Sequence, residues 1–104
     1  MKINVLLDFS STPGARYMED GPFSGEEFYC NILKKSFDEA LLKGEKLEIC
    51  LDGTEGYATS FLDEAFGKLA TDFGSQRVWE NIIIVSNDEP DWINEIKSYI
   101  FEKR

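Results

Sequence analysis

Histidine is absent from all 104 residues. Without an imidazole there is no Ser-His-Asp triad, no Cys-His nucleophile, no His-ligated zinc and no side-chain switch with an ordinary pKa near neutrality. Cysteine is scarce. Cys30 and Cys50 have neither CxxC spacing nor companion ligands, which argues against a zinc site or a disulfide scaffold and for packing thiols in a reducing compartment. Positive charge is also in short supply: 11 Lys+Arg stand against 20 Asp+Glu, a net charge of −9 at pH 7. That sign suits neither direct nucleic-acid binding nor attachment to an anionic membrane. No apolar run is long enough to span a bilayer, and the opening MKINVLLDFSS meets Asp8 too soon for a signal sequence. A cytoplasmic chain forming one domain over residues 1–104 is therefore expected, since this length builds a single core of about 13 Å radius of gyration.

What is present alternates between strand and helix signals. KINVLLDF (2–9) reads as a strand that breaks at Ser10-Ser11-Thr12-Pro13-Gly14, and the stretch to Pro22 reads as a loop. Ser24 and Glu27 form a capping box flanked by Phe23 and Phe28 at the staple positions, and Phe28, Tyr29, Ile32, Leu33, Phe37, Ala40 and Leu41 continue one helical face to Gly44. Leu47, Ile49 and Leu51 alternate with Glu48 and Cys50 as a strand, closed by Asp52-Gly53. Ser60 with Asp63 at the capping spacing opens a second helix, whose stripe is Leu62, Ala65, Phe66, Leu69, Ala70 and Phe73, with Gly74 as its stop. Ile82-Ile83-Ile84-Val85 lacks alternation and predicts a central strand covered on both sides. Asp88 then caps a third helix that buries Trp92, Ile96, Tyr99 and Ile100, and residues 102–104 fray. The fold class is α/β, a small mixed or mostly parallel sheet with helices packed on it.

In such sheets the functional edge lies beyond the carboxyl ends of the strands, here residues 10–22, 53–60 and 86–90. Thr59 and Ser60 sit where a helix N-terminus favours an anion, although an N-cap serine needs no ligand. The acidic residues Glu48, Asp52, Glu55, Asp63 and Glu64 follow no EF-hand order, so no metal is predicted. Asp63 and Glu64 point about 100° apart on a helix and make a poor acid/base pair. Gly53 and Gly56 form no phosphate-binding motif, so neither nucleotide nor cofactor is expected.

The segment LEICLDGTEGYATSFLDEAFGKLATDFG (47–74), with GPFSGEEFYCNIL upstream, resembles the STAS-like domain family of unknown function, related to bacterial anti-sigma factor antagonists. The resemblance implies a sheet with helices on one face and a non-enzymatic protein-interaction module. In the antagonists, a hydroxyl residue at the start of the helix after a core strand is phosphorylated by a serine kinase of the histidine-kinase-like ATPase fold. The matching positions here are Thr59 and Ser60, within Ala58-Thr59-Ser60-Phe61 where the antagonists carry Asp-Ser-Ser/Thr-Gly. The implied partner is such an ATPase or another regulatory factor. The expected contact residues are Gly53, Thr54, Glu55, Gly56, Tyr57, Thr59, Ser60 and Phe61, with Glu64 on the outer face of the second helix. The alternative drawn from charge alone is a small acidic inhibitor or nucleic-acid mimic, of the phage counter-defence type, that blocks a basic groove.

Overall fold

A computed structural model describes residues 1–102. Its order is β1 (Lys2–Asn4), α1 (Val5–Asp8), a 3-10 turn (Met18–Asp20), α2 (Gly25–Phe28), a π-helical turn (Tyr29–Leu33), α3 (Lys34–Lys43), β2 (Leu47–Cys50), α4 (Thr59–Phe73), α5 (Ser75–Asn81), β3 (Ile82–Val85) and α6 (Asp91–Glu102). Glu102 is still helical, and residues 103–104 of the expected frayed end lie outside the described residues.

All three strands are parallel, in the order β1-β2-β3, with Ile3 opposite Ile49 and Ile49 opposite Ile84. Leu47, Ile49 and Leu51 are buried, as the alternation requires, whereas Glu48 and Cys50 on the other face are only half-buried. The helices thus cover one face. Two strand expectations need correction. The first strand ends at Asn4 instead of running to Phe9, because the Asn4 side chain accepts the Leu7 N–H at 3.1 Å and Asp8 accepts the Asn4 N–H at 2.8 Å. Those two bonds cap a helical turn at α1, and local capping overrides the strand preference of Val5 and Leu6. β3 is an edge strand, not the centre: among the described residues it pairs with β2 alone, and Ile83 is 45% exposed on the face away from the helices. An apolar run without alternation predicts burial on both faces, yet Ile83 is exposed on one of them.

The first long helix enters as its sequence dictates. Ser24 Oγ accepts the Glu27 N–H at 3.0 Å, while the Glu27 carboxylate reaches the Phe23 N–H, at 3.1 Å, in place of the Ser24 N–H of a standard box. The staple is bridged, since Phe9 lies 5.6 Å from Phe23 and 5.2 Å from Phe28, centroid to centroid. At the far end Gly44 is left-handed, and the Glu45 N–H bonds Ala40 O while the Gly44 N–H bonds Leu41 O, a Schellman close. Within the π turn the buried Tyr29 donates its hydroxyl to Asp72 of α4, and burial followed by that bond pushes the hydroxyl pKa well above its ordinary value. Cys30, expected to pack, is instead exposed, and both cysteines are free.

α4 is the hub of the helical layer, packing against α6, α2, α5 and the π turn. Every residue from Phe61 to Ala70 except Lys68 is buried. α2 approaches α4 so closely that a Cβ on Gly25 would lie 2.5 Å from the Phe61 carbonyl oxygen. α5, which the sequence reading missed, follows Gly74 and buries Val78. Gly25→Ala gains helix propensity but forces backbone apart at this seam, and overpacking wins. A net loss of roughly 1–3 kcal/mol is expected from urea denaturation midpoints at unchanged slope.

Candidate functional site

The carboxyl edge of the sheet is built by three loops that hydrogen-bond to one another. Asp52, just past β2, accepts the Asn87 N–H at 2.7 Å, the Asn87 side-chain amide at 2.9 Å and the Asp88 N–H at 2.9 Å. Asp88 returns the bond by accepting the Gly53 N–H at 2.8 Å. The reciprocal pair fastens the β2–α4 loop to the β3–α6 loop. The first loop joins where Ser11 O accepts the Glu55 N–H at 2.9 Å. Asp88 is therefore spent on Gly53 and does not cap α6 as expected; Glu89 accepts the Asp91 N–H instead, at 3.3 Å. The donors converging on Asp52, led by the Asp88 N–H, hold its carboxyl below the ordinary aspartate range.

Behind the loops runs a row of rings. Phe23 meets Phe9, Phe9 meets Phe28 and Phe61, and Phe28 stacks on Phe61 at 5.8 Å. Phe61 meets Tyr57 at 5.7 Å, and Tyr57 stands edge-on to Trp92 at 4.8 Å. Tyr57 donates its hydroxyl to Leu51 O at 2.9 Å, and burial pushes the hydroxyl pKa up to about 12. The row links the first loop, α2, α4 and α6, so the edge rests on aromatic packing.

Of the expected contact residues, Gly53, Glu55 and Thr59 are exposed, and Thr54, Gly56, Tyr57 and Ser60 are half-buried. The structure brings them to one edge. Phe61 and Glu64 are corrections. Phe61 is 1% exposed within the aromatic row and Glu64 is 8% exposed against Arg16, so neither offers a surface contact. The start of α4 also differs. The helix begins at Thr59 with Ala58 as its N-cap, and no side chain caps it. Ser60 is the second helical residue, and its expected capping partner Asp63 is bound elsewhere: Arg16 Nη1 donates to Asp63 Oδ2 at 2.9 Å and lies 3.7 Å from Glu64 Oε1. That bond, ahead of every other influence, raises the Arg16 pKa. Arg16 was missed as a structural residue because 47 positions separate it from Asp63, and no local spacing announces such a pair.

Among the described residues no group of acidic or thiol side chains is arranged to hold a metal ion, and no helix is long and apolar enough to cross a membrane. The Asp52 junction carries its own test. A carboxyl held below its unfolded value contributes stability above about pH 4, and loses it as pH falls through the lower folded value. The amide shifts of Asn87 and Asp88 should titrate together with a midpoint below about 3.9, the reference aspartate value, and Asp52→Ala should abolish that inflection.

No curated protein and no solved structure matches the chain significantly. The sequence pattern of the STAS-like domain of unknown function (DUF4325) matches residues 24–92, from the Ser24 cap through α4 and β3 to the first turn of α6. More than half of the chain is covered, and with its parallel sheet and one-sided helical layer the chain belongs to this STAS-like family.

Proposed function

We propose that the protein is a non-enzymatic, cytoplasmic regulatory module that docks a protein partner through the edge formed by residues 53–60, with Thr59 and Ser60 as phosphoacceptors. The observation that carries this reading is the hydroxyl pair on the first turn of α4, beside the sheet's carboxyl edge, with Thr59 exposed and Ala58 bringing no capping side chain. Likeness to anti-sigma factor antagonists supports a serine kinase of the histidine-kinase-like ATPase fold, or a regulatory factor, as the partner.

The electrostatics favour a switch. A phosphate on α4's first turn gains about 0.3–1 kcal/mol from the helix dipole and adds about −1.5 to −2 charge. The same edge carries Asp52, Glu55, Asp88, Glu89 and Asp91, and residues 52–60 and 86–91 hold no Lys or Arg. Added negative charge here would weaken a partner docked by apolar contacts, because the phosphate must be desolvated beside carboxylates of like sign, without disturbing the helix. With proteins captured from a cell extract and titrated one by one, the Thr59→Glu, Ser60→Glu double variant should bind its partner about tenfold or more weakly, a loss of ~1.4 kcal/mol. Equal affinity of both forms for every captured protein overturns the proposal.

The net charge of −9 and that acidic edge favour a second reading, an inhibitor that occupies a basic groove. Salt separates the two. A decoy's affinity should fall steeply with ionic strength, whereas docking that rests on apolar contacts should weaken only mildly.

A further inference from the structure

The loop Gly14–Phe23 joins α1 to α2 and lies against the start of both α2 and α4. Its two ends meet, since the Gly14 N–H donates to Phe23 O at 2.7 Å, and a Cβ on Gly14 would lie 2.4 Å from Pro22 O. That is the closed neck of an Ω-type loop. Inside the neck the loop holds itself: the Asp20 N–H bonds Tyr17 O at 3.0 Å, and the Gly21 N–H bonds Met18 O at 3.3 Å. Its bonds outward go to the two helices. The Gly25 and Glu26 N–H groups donate to Ala15 O and Arg16 O at 2.9 and 3.0 Å, Glu26 accepts the Met18 N–H at 2.9 Å, and Arg16 reaches Asp63.

Two independent features set this loop apart. Phe23, at the neck, is left-handed with φ of 57°, a strained conformation for a ring-bearing residue and the sole such non-glycine position among the described residues. The Arg16 side chain is 32% exposed although the Asp63 and Glu64 side chains it holds are only 7% and 9% exposed. Arg16 is thus the partly solvated member of the cluster and belongs to the loop, whereas the two carboxylates belong to α4, so the contact is one that a movement of the loop would break.

We propose that Gly14–Phe23 is a hinged latch that swings as one body about its neck, carrying Arg16 off Asp63 and Glu64. Asp63 and Glu64 lie one turn beyond Thr59 and Ser60, so the closed latch braces the helix start and the open latch loosens it. The regulatory consequence rests on the docking reading above; the motion itself does not. Closure and partner binding at the helix start are then coupled, because a partner that prefers one state of the first turn shifts the latch population.

Amide hydrogen exchange in the isolated chain tests the motion without any partner, so its failure is distinct from a failure of the docking reading. The Gly25 and Glu26 amides point to loop carbonyls and report opening directly, while the Gly14 amide reports the neck. In Arg16→Gln, exchange at Gly25 and Glu26 should accelerate about tenfold, as expected for loss of a charge-assisted bond, while Gly14 and the β2 amides keep their wild-type rates. Arg16→Lys keeps the charge and should accelerate the same two amides by a smaller factor. Unchanged exchange at Gly25 and Glu26 overturns the latch. So does acceleration of Gly14 in step with them, which is loop unravelling, or of β2, which is global loss of stability.

Discussion

The missing side chain at Gly25 is the constraint on which the rest of the architecture depends. With no Cβ to hold the helices apart, the first turn of α2 comes against the Phe61 carbonyl, and the two elements share one seam. That closeness lets Phe28 stack on Phe61 and brings Phe9 over both rings. It also sets the height at which the preceding loop crosses α4, because the Gly25 and Glu26 amides hold the carbonyls of Ala15 and Arg16. The guanidinium of Arg16 then arrives at Asp63 as a consequence of backbone packing. A single steric fact thus orders an aromatic row, a loop and a partly buried ion pair.

The acidity of the chain is managed locally. Asp52 is surrounded by backbone and amide donors of the neighbouring loop, and Asp63 and Glu64 share one arginine, so several of the carboxylates near the sheet's carboxyl edge also serve as structural acceptors. An edge tied by such bonds can stay strongly negative and still keep its shape. This combination, acidic charge on a fixed frame, is what a docking surface sensitive to added phosphate would need.

Much of the fold was legible because its signals are short-range. The Ser24 cap, the closing glycines at 44 and 74, the alternation in β2 and the stripe of α4 each depend on residues within a few positions of one another, and all appear where the spacing places them. The reading broke where one local signal competed with another or where no local signal existed. Asn4 and Asp8 capped a turn inside a β-branched run, and Asp88, a good capping residue by type, was drawn to Gly53 across the loop junction. β3 went to the edge because an apolar run describes its own residues and not the number of layers laid upon it. Phe61 and Glu64 fell on the wrong side because α4 is surrounded, and helical spacing assigns a solvent face even to a helix that hardly has one.

The sequence by itself determined the capped first helix, the alternating strand β2, the stripe of α4, the acidic character, the absence of histidine and the strand-loop-helix junction that holds Thr59 and Ser60, because these follow from composition and from neighbours along the chain; α1 and α5 did not announce themselves. Only the tertiary structure decided which residues of that junction face outward, that β2 lies at the centre, and that Arg16 rather than Ser60 holds Asp63. Those outcomes are set by contacts between residues tens of positions apart. Their strength depends on how closely two helices approach, a distance that no pattern within either helix records.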